Sequence, residues 1–256
     1  MTQQSIHRIT RTILILLLAS PVWLSAQVGK TLIVNNFISD PDALETHLVI
    51  TDVDGVGPNV KVSIYNEDGR LIYERFETLH AFGKLNYNPA DYLTQYQFGF
   101  NQNPKFRGTI RVTSDGGNIA GQYWQFYKKE GMGYMNTAVP AAEGQGYDKL
   151  VCQHFVSDKK IDAELVLANA MSTRPTTVMV KFYSDEGGIT SSKKVVIQPN
   201  GIVRINPYKA THGLRMTGTA YVEVIGKGKI TGEYWQASQS EKYQVALPLE
   251  GVTKIR

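Results

Sequence analysis

The sequence is poor in the residues that most site chemistry needs. It holds one cysteine and five histidines in 256 residues. A lone cysteine, Cys152, excludes an internal disulfide. No two histidines stand at short metal-ligand spacing, so a zinc site would need ligands from distant segments. The chain also lacks a charge excess, with 27 basic against 23 acidic residues. Two of the basic residues, Arg8 and Arg11, fall in the first 26 positions, which hold no acid. The remainder is near neutral at +2. That is too little for the basic field a phosphate backbone demands, which excludes a nucleic-acid partner. No amphipathic helical period of useful length appears.

What is present begins with an export signal. His7, Arg8 and Arg11 form a basic start, and Ile13 to Ala19 is nearly pure Ile and Leu. The apolar stretch runs on to Ser25-Ala26. This is the layout of a secretory signal peptide over residues 1–26, with cleavage expected after Ala26. The stretch is shorter than the ~20 apolar residues of a spanning helix and carries Ser20, Pro21 and Ser25. No cysteine follows it, so a lipoprotein anchor is not expected. The mature chain is expected to be exported, periplasmic or extracellular, and without a membrane span.

The rest of the chain is written twice. Leu32-Ile33-Val34-Asn35-Asn36-Phe37-Ile38-Ser39-Asp40 matches Leu150-Val151-Cys152-Gln153-His154-Phe155-Val156-Ser157-Asp158. Val60 to Gly69 matches Val178 to Gly187, Asn88-Pro89 matches Asn206-Pro207, and Gly108-Thr109 matches Gly218-Thr219. Ile119-Ala120-Gly121-Gln122-Tyr123-Trp124-Gln125 matches Ile230-Thr231-Gly232-Glu233-Tyr234-Trp235-Gln236. Repeat one spans 31–140 and repeat two 149–250. Residues 141–148 form a linker of small and turn residues, and 251–256 form a tail.

Within each repeat the hydrophobic period is two. Val60, Val62 and Ile64 alternate with Asn59, Lys61 and Ser63, which reads as half-buried strands. Glu67-Asp68-Gly69 and Asp185-Glu186-Gly187 read as hairpin turns. Strands are expected near 31–37, 45–52, 58–66, 70–78, 83–88, 108–114, 118–127 and 133–139, with counterparts in repeat two. The fold class is all-β, with two tandem β-sandwiches of immunoglobulin-like or jelly-roll type.

The duplication filters the candidate chemistry. Cys152 aligns with Val34, so it is expected to pack as a small buried hydrophobe. His47 aligns with Glu164, His80 with Gln198 and His154 with Asn36; no histidine recurs. Ser39-Asp40 and Ser157-Asp158 do recur, but without a histidine to act as base, so a turn-forming role is expected. Asp52-Val53-Asp54-Gly55 has the flavour of a calcium loop, yet position 50 is Ile and the stretch near Asn169 has no acids, so a plain loop is expected. No cofactor, metal or catalytic residue is assigned, and a hydrolase with its site in one repeat is a minor alternative.

Two features point to binding. Ile119, Gly121, Tyr123 and Gln125 share one strand face, and Ala120, Gln122, Trp124 and Phe126 the other. If the Ile/Tyr face turns to the core, Trp124 and Trp235 lie on outer faces that suit a sugar ring, the other repeat or a partner. Repeat one also carries an insertion of about eight residues between Pro89 and Gly108, judged against Pro207 to Gly218. Its Tyr92, Tyr96, Phe98 and Phe100, interleaved with Gln and Asn, form a candidate recognition loop.

The order of a strand, a Tyr65-x-x-x-Gly69 turn, Asn88-Pro89, Gly108-Thr109-x-x-Val112 and a last aromatic strand, repeated from Tyr183 on, resembles tandem β-sandwich repeats of exported bacterial envelope and surface proteins. The resemblance implies binding or scaffolding. Two-domain pilus chaperones are similar in length, but their basic peptide-anchoring cleft finds no match. The expected function is non-catalytic binding or scaffolding of envelope or extracellular proteins, with glycan binding as the alternative. Residues 27–147 are net −3 and residues 148–256 net +5, so head-to-tail self-association between unlike repeats is a further expectation.

Overall fold

The computed structural model describes residues 28–40, 44–89, 93, 105–127, 133–137, 139–140, 146–238 and 243–252. The expected signal peptide lies outside them. In repeat one the strands are β1 (Val28–Gly29), β2 (Thr31–Ser39), β3 (Leu44–Asp52), β4 (Asn59–Asn66), β5 (Leu71–Thr78), β6 (Lys84–Tyr87), β7 (Phe106–Ser114), β8 (Ile119–Tyr127), β9 (Gly133–Thr137) and β10 (Val139–Pro140). Repeat two has β11 (Lys149–Ser157), β12 (Asp162–Asn169), β13 (Thr176–Ser184), β14 (Ile189–Ile197), β15 (Ile202–Ile205), a one-turn helix α1 (Pro207–Ala210), β16 (Met216–Ile225), β17 (Ile230–Ser238), β18 (Tyr243–Pro248) and β19 (Glu250–Gly251). Among the described residues no helix is long and apolar enough to cross a membrane.

Each repeat is a sandwich of two antiparallel sheets. Repeat one pairs β1-β8-β3-β6, with β9 on β8, against β10-β2-β7-β4-β5. Repeat two pairs β15-β12-β17-β18 against β14-β13-β16-β11-β19. The alternation read from the sequence is the alternation of burial. Along β3, Leu44, Thr46, Leu48 and Ile50 are buried while Glu45, His47, Val49 and Thr51 are half-exposed. Leu32, Val34, Phe37, Val62, Ile64, Ile110 and Tyr123 fill the first core. Leu150, Cys152, Phe155, Val180, Phe182, Val222 and Tyr234 fill the second. Cys152 thus packs as Val34 does, and burial pushes its thiol up to about 12, opposed only by a hydrogen bond to the His154 backbone.

The two copies share their irregularities. In β2 the register slips between Val34 and Phe37, and in β11 between Cys152 and Phe155. Each slip is a bulge, which turns its extra residue out of the ladder. In repeat one the bulge is Asn35-Asn36, and in repeat two Gln153-His154. The loop after β3 is held by Asp52, whose carboxylate accepts the backbone N–H groups of Asp54, Gly55, Gly57 and Phe82 at 2.9–3.2 Å. Those contacts tie the loop to one buried carboxylate. At the matching place, the Asn169 amide donates to the carbonyls of Arg174, Ile197 and Gln198.

Candidate binding surfaces at the repeat junction

The repeats do not hang freely on their linker. The outer face of the β12-β15-β17 sheet lies on β2, β7 and the turn between β4 and β5. Ile33 of repeat one forms a buried cluster with Val166, Ala168, Ala170 and Ile202 of repeat two. Around it runs a polar seam. Thr231 donates its hydroxyl to Asn35 Oδ1 at 2.6 Å, both residues being fully buried. The Tyr123 hydroxyl, reaching from the first core, bonds to the Glu233 carboxylate. Arg111 Nη2 donates to the Ala170 carbonyl at 3.2 Å, and Thr109 Oγ1 to the Asn200 carbonyl at 2.9 Å.

Arg204 is the hub of the seam. Its Nε donates to Glu67 Oε1 at 2.6 Å, Nη1 to Glu164 Oε2 at 2.9 Å and Nη2 to Asn36 Oδ1 at 2.7 Å. Its side chain is only 9% exposed. All three groups of the guanidinium fork are therefore used, which is the condition for a buried cation to be tolerated.

Beside this hub opens a cleft of about 630 Å³. Repeat one contributes Leu44, Asp68, Lys105 and Phe106, and repeat two Asp162, Glu164 and Trp235. Lys105 is bonded to Asp40 at 2.9 Å, and Arg107 lies 3.7 Å from Glu164. Asp162, exposed at the start of β12, is held above its ordinary value, first by partial desolvation in the cleft and then by the nearby Glu164 charge, against the cations of Arg107, Arg204 and Lys209. The cleft therefore offers carboxylates beside an aromatic wall at a junction between domains, a common place for ligands.

The aromatic candidates separate. Both tryptophans do stand on the faces opposite their cores, since Ile119, Tyr123, Ile230 and Tyr234 point inward. Trp124 lies half-exposed and stacks on His47 with ring centroids 5.9 Å apart and planes 6° apart. Trp235 is 95% buried, packed with Ala237 and Ala246 at the edge of the junction. Among the described residues its indole N–H has no hydrogen-bond partner. Tyr92, Tyr96, Phe98 and Phe100 lie outside the described residues.

Sequence reasoning did not single out Asp162, Arg107 or Arg204, and took Glu164 only as the counterpart of His47. One signal was there. Ala163 to Ala168 is apolar on both faces except at Glu164, the pattern of a strand covered on both sides.

No protein-family model and no curated protein matches the chain. Among solved structures it is similar to a β-glucuronidase of Parabacteroides merdae at 12% identity and a TM-score of 0.17, over 82% of this chain and 28% of that one. It is likewise similar to β-glucuronidase 2 of Bacteroides uniformis at 10% identity and a TM-score of 0.15, over 83% of this chain and 25% of that one. The chain spans about a quarter of those enzymes, and likenesses this weak carry no argument about activity.

Proposed function

We propose that the chain is an exported, non-catalytic binding or scaffolding protein that makes protein–protein contacts in the bacterial envelope or outside the cell. The observation that carries this reading is the seam between the repeats. Buried hydrogen bonds on both sides of Ile33 fix two sandwiches as one unit, and a unit of fixed shape presents its remaining faces in a fixed relation. Presenting surfaces in fixed relation is what a scaffold does, and preorganisation lowers the ordering cost of each contact. Cross-linked capture from native envelope should recover a defined partner. Recovery of no specific protein would count against the reading.

A second reading rests on the cleft. Buried Trp235 beside Phe106, Asp162 and Lys105 combines an aromatic wall with hydrogen-bonding groups, which suits a sugar. Glycan-array binding by the native chain that is lost in Asp162→Ala and Lys105→Ala supports it. Unchanged binding in both variants removes the cleft as the site.

A further inference from the structure

The junction joins unlike faces, and each repeat keeps the face its twin uses. The β12-β15-β17 face of repeat two covers β2, β7 and the β4–β5 turn of repeat one. Among the described residues, the matching faces are left open, that of β11, β16 and β13 in repeat two and that of β3, β6 and β8 in repeat one. A contact between unlike surfaces does not close on itself and can be extended by further copies.

The open faces carry a seat and a knob at the matching positions. At the junction, the Pro199-Asn200-Gly201 turn is seated on repeat one. The Asn200 carbonyl receives Thr109, the Ile202 N–H donates to the Glu67 carbonyl at 2.9 Å, and Gly69 lies under the Pro199 carbonyl. A Cβ on Gly69 would stand 2.0 Å from that oxygen, so only glycine fits. The counterparts of Tyr65, Glu67, Gly69, Thr109 and Arg111 are Tyr183, Asp185, Gly187, Thr219 and Tyr221, as the strand registers fix. Those five residues, with Lys149 and Lys181 beside them, line an open trough of about 450 Å³. Tyr183 and Tyr221 meet edge to face at 5.4 Å in it. Nothing lies within 4 Å of the space a Cβ on Gly187 would take. The trough is the seat without its turn.

The counterpart of the turn is Ala81-Phe82-Gly83. Gly83 and Gly201 donate to the carbonyls of His80 and Gln198, and Phe82 and Asn200 share a left-handed φ of 56° and 58°. Where repeat two has Asn200 pressed against its neighbour, repeat one has a phenylalanine that is 73% exposed, with one edge of its ring lying over Gly55 of its own loop and the other turned outward.

We infer that a second copy of this chain binds through its Phe82 turn, which enters the Tyr183–Tyr221 trough and repeats the junction between molecules, so that copies stack head to tail. The partners carry opposite net charge, −3 on the half with the knob and +5 on the half with the seat. The inference names one partner within the scaffolding reading; a chain that stays monomeric yet captures an envelope protein sinks the stacking alone.

Sedimentation velocity on the purified chain over a range of concentrations tests it. The native protein should grow into a series of linear oligomers, less so at high salt. Phe82→Asp and Tyr221→Asp should each remain monomeric, with circular dichroism confirming the native fold. An equimolar mixture of the two variants should form a one-to-one dimer and stop, because it retains one intact knob and one intact seat. A native chain that is monomeric throughout, a Phe82→Asp chain that still grows, or a mixture that stays monomeric overturns the inference.

Discussion

Arg204 of repeat two donates to Asn36 of repeat one at 2.7 Å while bonding both Glu67 and Glu164. The bulge in β2 presents Asn36 there, and the same bulge in repeat two presents His154 to solvent. One backbone irregularity thus serves as a socket in one copy and as free surface in the other. Truncating Arg204 leaves the Glu164 carboxylate beside Asp162 with only the longer contact to Arg107. Arg204→Ala should cost about 3 kcal/mol, the scale for breaking a buried pair from one side. The double variant Arg204→Met with Glu164→Leu should recover most of that, since it removes both charges. Urea unfolding checks both. A loss below about 0.5 kcal/mol in the single variant would place the hub among surface contacts.

The junction also marks how far the sequence could be followed. The strands of both repeats, the inward turn of Tyr123 and Tyr234, and the packing of Cys152 follow from period and duplication, because alternation fixes which face is buried. What covers an outward face is a property of two surfaces meeting, and no local pattern encodes it. So Trp235 was legible as an outer-face residue but not as one buried at a junction. Asp162 and Arg107 were not singled out for the same reason, since they become neighbours only where the two repeats meet. Only the two-sided apolar run around Val166 carried a trace of the contact.

Cys152 should behave as a hydrophobe. Burial raises its thiol to about 12, so almost no thiolate exists at neutral pH and the sulfur resists disulfide reagents until the chain unfolds. Cys152→Val copies the Val34 arrangement and should change stability by less than about 1.5 kcal/mol. Thiol titration with and without denaturant, together with melting of the variant, checks this. Full labelling of the native chain at the rate of the unfolded one would contradict the packing.

Asp52 should stabilise its loop in a way that acid removes. Burial acts to raise its carboxyl, but the donors from Gly57, Phe82, Asp54 and Gly55 outweigh it and hold the group below its usual value of 3.8. A carboxyl lowered by folding contributes its full stability above the unfolded value, and loses it as pH falls through the folded one. Asp52→Asn should therefore melt lower than the native chain at neutral pH. The gap should narrow below pH 3.8. A gap that is the same at neutral and acid pH would mean that the charge contributes nothing.

Asp162 should show the opposite sign. Partial desolvation and the Glu164 charge hold its carboxyl above the usual 3.8, so the folded chain binds that proton more tightly than the unfolded one. Its contribution is present below the unfolded value and is lost as pH rises through the folded one. At neutral pH the ionised group is a cost carried at the mouth of the cleft. Asp162→Asn removes that cost and should melt higher than the native chain at pH 7, with the advantage gone once the native carboxyl is protonated. Melting curves across that range decide it. A variant less stable than the native chain at pH 7 would show that Arg107, Arg204 and Lys209 stabilise the ionised form more than desolvation and Glu164 oppose it.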